Sequence, residues 1–281
     1  MLKRFFCYSQ YFVPQHFLSV LMGKLANSTV TWFKNWGIDF FCRLYSVKLD
    51  EALIEDPHAY PTFNSFFTRA LKAGARPIDS TPDAIISPAD GTIAQFGQIH
   101  QQQLLQAKGM YFNLTSLLGG QTETASLFEN GHYATIYLAP HNYHRVHMPC
   151  AGKLKHSIYI PGKLFSVNRM TSQLIPNLYA RNERLVLVFD TASGPLAVIL
   201  VGALIVGSMQ TVWMDKPIRS PHIDVSMPAH EVFLEKGAEL GRFLLGSTVV
   251  LLLPPRPLTW APTTSVTATI LTGQSLGIQP S

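Results

Sequence analysis

The stretch "LAVILVGALIV", residues 196–206, decides the fold. It is apolar from end to end, yet far shorter than the ~20 residues that a bilayer-spanning helix needs. Rich in Val, Ile and Leu and interrupted by Gly202, it reads as a buried strand pair or as one long strand, 196–205, bent at that glycine. Comparable short runs lie on either side, at 84–86, 134–138, 185–189 and 248–253, bounded by Gly or Pro. From about residue 84 the chain therefore reads as mainly antiparallel β. A faint internal echo, "PADGTI" at 88–93 and "PCAGKL" at 149–154, shares the spacing P-x-x-G-x-[I/L] and suggests a turn-then-strand unit used twice.

The first fifty residues differ from the rest. They hold 12 of the 31 aromatics, among them Phe5, Phe6, Tyr11, Phe12, Trp32, Phe33, Trp36, Phe40 and Phe41, with six Lys/Arg against two Asp. Aromatic rings favour the headgroup level of a bilayer and basic stems snorkel to anionic lipid, so this composition suits a segment lying in the interface. Lys24, Lys34 and Asp39 break every apolar run too early for a span, and Pro14 with Gln15 breaks a signal-peptide core. An aromatic helical lid packed on its own core is the plainer alternative. Pro57 and Pro61, in "EDPHAYPTFNSFF" (55–67), close the helical stretch. The expectation is an α+β chain: a helical membrane-interface region over 1–60, then a β-rich catalytic domain over 61–281 with a mainly antiparallel core.

With 281 residues, 47% of them apolar, the chain can bury a sizeable core. Cys7, Cys42 and Cys150 form no CxxC pair, which argues against a disulfide framework or zinc knuckle and fits a reduced compartment. The net charge of +5 is modest, and no basic run interleaved with aromatics marks a nucleic-acid face. An anionic membrane surface is the better use of that charge.

Chemistry concentrates in "APHNYHRVHMPC" (139–150), where His141, His144 and His147 recur every three residues. Three imidazoles can ligate zinc, but no HExxH-like pattern accompanies them. A histidine also carries protons near neutral pH and needs a partner to fix its tautomer; Asp90, in the "SPADG" turn, is the candidate. An alternating strand points 144 and 147 to opposite sides, so a bend or bulge near Arg145 is implied if both reach one site. Gly246-Ser247, directly before the run "TVVLLL", offers a nucleophile, although Gly207-Ser208 repeats the dipeptide. In a strained turn the Ser247 hydroxyl can attack the unhindered Gly246 carbonyl and convert the peptide to an ester, which leads to chain cleavage.

Five segments, "FNSFFTRALKAGARPI" (63–78), "SPADGTI" (87–93), "YHRVHMPCAGKL" (143–154), "PGKLFSVN" (161–168) and "LGST" (245–248), stand in the order and spacing of one family. Over most of its length the chain resembles phosphatidylserine decarboxylase of the bacterial, membrane-associated type. The resemblance implies a proenzyme that cuts itself between Gly246 and Ser247 into a large chain, 1–246, and a small chain, 247–281. Ser247 then becomes an N-terminal pyruvoyl group, with no metal and no external cofactor. Asp90 is implied to orient His147, and His147 to take the Ser247 proton. His144 is implied as the acid/base that protonates the α-carbon once a Schiff base to phosphatidylserine has lost carbon dioxide, giving phosphatidylethanolamine. The expected setting is peripheral, on the cytoplasmic side of the inner membrane, as a homo-oligomer, with Arg145 and Lys163 as candidates for the lipid phosphate. Two rivals stay open at this level: a metal-dependent lipid hydrolase built on the three histidines, and a non-catalytic membrane-binding module.

Overall fold

The computed structural model describes residues 7–204, 209–218, 220–244 and 248–280. Phe5, Phe6, the last two residues of the 196–206 run and the Gly207-Ser208 and Gly246-Ser247 pairs lie outside them. Nine strands pair antiparallel in one sheet, in the spatial order Asp224–Ser226, Gly152–Ile160, Arg184–Thr191, Gly194–Val201, Thr248–Leu253, His132–Tyr137, Gly91–Gln98, Thr269–Ile270, with Phe233–Leu234 beside Gly152–Ile160. The fold is α+β, as the sequence suggests.

Thr248–Leu253 lies at the centre of this sheet, hydrogen-bonded to Gly194–Val201 on one side and His132–Tyr137 on the other, and all six of its residues are buried. Val250 and Leu252 join Val186 and Ile199 in one core; Val249 and Leu251 join Leu185 and Val198 in the other. Both faces are covered, which is why these strands read as unbroken apolar runs and not as alternating ones. Helices and loops carrying Ile38, Phe66 and Phe128 cover the first face. The second face is covered by two three-stranded sheets. One holds Arg145–His147, Glu239–Phe243 and Met209–Thr211; the other holds Ala84–Ile86, Ser275–Ile278 and Thr259–Trp260.

The 196–206 run is a strand only as far as Val201. It forms a hairpin with Arg184–Thr191, and the Gly202 N–H donates to the Glu183 carbonyl at 2.8 Å, the next rung in the same register. The expected long strand bent at Gly202 is shorter, because the other half of that rung is diverted: the Glu183 N–H donates to the Lys163 carbonyl and Asn182 Nδ2 to the Gly202 carbonyl, each at 2.8 Å. The two halves of the internal echo prove to be neighbours. Gly91 and Gly152 each open a long strand. Their preceding turns are cross-bonded: the His147 N–H donates to the Pro88 carbonyl at 2.7 Å, and the Ile86 N–H to the Pro149 carbonyl at 3.0 Å.

The N-terminal region contributes helices Gln15–Ala26 and Thr31–Tyr45. Phe41 packs edge-on against Phe63, Phe66 and Phe67, and the side-chain carbonyls of Gln10 and Gln15 accept the Ser166 and Leu164 N–H groups. After a 3₁₀ turn at Pro57–Ala59, a Thr62/Ser65 capping box starts the helix Phe63–Phe67. The helix Thr31–Tyr45 leaves Trp32, Trp36, Phe40 and Leu44 exposed, with Trp32 at 74% exposure. Among the described residues, no helix is long and apolar enough to cross a membrane.

A Cβ on Gly91 would run into the Tyr137 carbonyl and come within 3.0 Å of Ile136 Cγ2, whereas one on Gly37, within a helix, meets nothing within 4 Å. Chemical denaturation should show Gly91→Ala losing about 1–3 kcal/mol. Gly37→Ala should be neutral or gain up to about 1 kcal/mol. A harmless Gly91→Ala would contradict the close approach of the two strands.

Candidate active site

The cross-bonded turns bring Asp90 and the segment 143–147 together. His144 precedes the short strand Arg145–His147, and opposite that strand the register slips between Glu239 and Gly241. The irregularity implied by two histidines serving one site is therefore present, but it falls on the partner strand.

His147 is held at both ring nitrogens. Nδ1 lies 2.8 Å from the Gly237 carbonyl, and Nε2 lies 3.0 Å from the Tyr143 hydroxyl. A carbonyl only accepts, so Nδ1 carries the proton; Nε2 is the bare lone pair, to which Tyr143 donates. Burial pushes the His147 pKa below its usual value, against the smaller opposing pull of the Gly237 carbonyl and the Glu239 charge. Burial also raises the Tyr143 phenol to about 12, which keeps it a donor.

Asp90 was the expected tautomer-fixing partner, but the Gly237 carbonyl occupies that place. The buried Asp90 carboxylate instead accepts Arg76 Nε at 2.9 and 3.0 Å, Arg76 Nη2 at 2.6 Å and the Thr272 N–H at 2.9 Å. It acts on His147 through space, favouring the protonated ring. Arg76 Nη2 also reaches Glu51 at 2.9 Å, so the carboxylate joins the N-terminal region to the segment carrying Thr272.

His144 is wholly buried, its ring stacked on Phe67 with centroids 4.0 Å apart. Its Nε2 donates to the Pro140 carbonyl at 3.2 Å, leaving the Nδ1 lone pair buried without a partner among the described residues. Desolvation lowers its pKa to about 3, so the ring is neutral at physiological pH. His141 is exposed, and its carbonyl accepts from Arg69 Nη2 at 3.1 Å. Among the described residues no three His, Cys, Asp or Glu side chains converge as metal ligands. The three histidines occupy three different environments, and the described residues offer the hydrolase reading no ligand set.

Gly246 and Ser247 lie outside the described residues, but the chain on either side is tied to this site. The Phe243 N–H donates to the His144 carbonyl at 3.1 Å, and Thr248 pairs with Tyr137 and Val201. Beside Phe67 and Pro140, an apolar cavity of about 570 Å³ opens between the two N-terminal helices and is lined by Phe33, Trp36, Phe40 and Leu204 among others. The phosphate candidates fare differently: Arg145 is paired with Glu239 at 2.7 Å, while Lys163 stands exposed where its segment bridges to Asn182. Sequence reasoning missed Tyr143, Gly237 and Arg76. Tyr143 and Arg76 sit inside quoted motifs, but nothing in their spacing reveals what they touch; Gly237 acts through its backbone.

A family model described as phosphatidylserine decarboxylase matches residues 63–278, and one described as PSD matches residues 5–46. The chain is 50% identical over 283 residues to the phosphatidylserine decarboxylase proenzyme of Ectopseudomonas mendocina, covering 99% of each. It is 50% identical over 279 residues to that of Bordetella avium, covering 97% of this chain and 94% of the relative. Against that of Azotobacter vinelandii it is 49% identical over 284 residues, covering 99% of each.

Because folding depresses the pKa of the buried His144 and the half-buried His147, it stabilises their neutral forms. That stability is fully present above the unfolded value of about 6.5 and falls as the pH drops, by up to about 1.4 kcal/mol per unit for each ring, and for His144 down to its folded pKa of about 3. Denaturant titrations between pH 7.5 and pH 5 should show this slope, and His144→Asn should flatten it. Equal slopes in the two proteins would contradict a buried neutral His144.

Proposed function

The chain belongs to the phosphatidylserine decarboxylase family, and from that premise we propose that it matures by cutting itself at Gly246-Ser247 and decarboxylates phosphatidylserine through a pyruvoyl group made from Ser247. The observation that carries this reading is the His147 tautomer. A neutral imidazole with its proton fixed on Nδ1 presents Nε2 as a base, beside the chain that leads to Ser247. Tyr143 occupies that lone pair at rest, so its hydroxyl yields to the Ser247 hydroxyl when the proton moves. Asp90 supports the imidazolium by its charge.

Once His147 takes the Ser247 proton, the alkoxide attacks the Gly246 carbonyl and the C–N bond breaks, leaving an ester. Loss of the Ser247 α-proton then expels the Gly246 carboxylate and leaves dehydroalanine. Water hydrolyses this to a terminal pyruvoyl group and ammonia, so atoms balance without an oxidant. The surroundings suit such a group, because the bare, buried Nδ1 of His144 lacks a partner that the rest of the described chain does not supply. The pyruvoyl group would supply a carbonyl for the lipid amine to condense with and a sink for the electrons released with carbon dioxide. His144, whose Nδ1 has no partner among the described residues, relays the proton to the α-carbon. Phe67, stacked on the ring, fixes its plane and keeps water out.

A membrane substrate accounts for the N-terminal region. The apolar cavity suits acyl chains, and the exposed Trp32, Trp36 and Phe40 suit the headgroup layer of the inner membrane, with the protein held peripherally on its cytoplasmic side. Replacing these three exposed rings by Ser should lower sedimentation with anionic vesicles severalfold while leaving the melting temperature nearly unchanged. Undiminished binding would remove the interfacial role.

The two histidines are assigned to different steps, and substitution separates them. On a denaturing gel His147→Ala and Asp90→Asn should accumulate the uncut chain. His144→Ala should be cut, yet turn over phosphatidylserine slower by about 10²- to 10⁴-fold. An uncut His144→Ala beside a normally maturing His147→Ala would reverse the assignment.

A further inference from the structure

Arg69 is a buried cation in no ion pair among the described residues. It is 5% exposed, and no carboxylate pairs with it among the described residues. Nη2 donates to the His141 carbonyl at 3.1 Å, and the guanidinium carbon stands 5.8 Å from the centre of the Phe66 ring. Nη1 is buried and has no partner among the described residues. Its positive charge is felt at His144, whose Nδ1 is likewise buried and bare. A desolvated charge with an unused donor is costly to keep, and two such atoms near one site point to a ligand that completes them.

We propose that Arg69 binds the phosphodiester of the lipid substrate. This rests on the phosphatidylserine decarboxylase reading and adds to it the residue that recognises the anion. The order of groups in the fold matches the order of groups in a phospholipid. Phe67 and Pro140 line the apolar cavity and both touch His144, and Arg69 lies two residues beyond Phe67. Acyl chains in the cavity therefore bring the phosphodiester toward Arg69 and the amino-acid headgroup toward His144. The other nearby guanidinium groups already have partners: Arg145 pairs with Glu239, and Arg76 with Asp90 and Glu51. The substrate carboxylate fits Arg69 less well. It loses its charge on leaving as carbon dioxide, so a cation gripping it would stabilise the ground state more than the transition state. The phosphodiester keeps its charge throughout, and a planar guanidinium matches its paired oxygens.

The test uses the full-length protein and its Arg69→Gln and Arg69→Lys variants. Each is assayed with short-chain phosphatidylserine, with short-chain phosphatidylethanolamine and inorganic phosphate as competitors. Both variants should mature. Arg69→Gln should raise KM about tenfold to a hundredfold and weaken inhibition by phosphatidylethanolamine by the same factor, with a much smaller change in kcat. Arg69→Lys should fall between it and the wild type, and inorganic phosphate should compete far more weakly than the lipid. An unchanged KM would overturn the proposal. A raised KM with unchanged inhibition by phosphatidylethanolamine would move Arg69 to the carboxylate, and competition by inorganic phosphate equal to the lipid's would make this a free-anion site. Failure of both variants to mature would assign the guanidinium to the fold. Wild-type protein inactive on phosphatidylserine would overturn the underlying reading as well.

Discussion

Two backbone hydrogen bonds hold the site together: His147 N–H to the Pro88 carbonyl, and Ile86 N–H to the Pro149 carbonyl. They lock the turn bearing Asp90 against the segment bearing His147, although 57 residues separate the two side chains in sequence. Each turn then runs into a long strand of the central sheet, so the lock inherits the sheet's rigidity. Gly91 is required at one of these starts because the Tyr137 carbonyl occupies the space of a side chain.

The same sheet carries Thr248, the second residue after the proposed cut. It begins the central strand, paired on both sides, so a break between residues 246 and 247 would leave the small chain fastened by ladder bonds to strands of the large one. Asp90 adds a further link, since its carboxylate accepts the Thr272 N–H from the far side of the proposed cut. Cleavage at this place changes covalent connectivity with little loss of packing. This is what a proenzyme needs if it is to mature without unfolding.

Much of this was legible in the sequence, for identifiable reasons. The strand Thr248–Leu253 was read to the residue because a run buried on both faces is apolar throughout and Pro254 ends it. The run from Leu196 was overextended because nothing in its composition shows that the facing Glu183 N–H turns to Lys163 and the Gly202 carbonyl to Asn182. The P-x-x-G-x-[I/L] echo was a true signal of two equivalent turn-then-strand units, while their mutual hydrogen bonding lies beyond any local pattern. In the site, the histidines stood out by residue type and spacing. Their tautomers did not, because those depend on the carbonyls of Gly237 and Pro140, and a backbone carbonyl leaves no mark in the sequence. Asp90 was correctly placed in a tight turn near His147, but its ties to Arg76 and Thr272 come from segments far along the chain.

The central claim is that a serine of this chain becomes the reactive carbonyl. Intact mass spectrometry of the purified full-length protein tests it most directly. The account predicts two polypeptides, residues 1–246 and 247–281, with the smaller one lighter than its unmodified sequence by the mass of one ammonia. A single uncut 281-residue chain that decarboxylates phosphatidylserine at the full rate would contradict it.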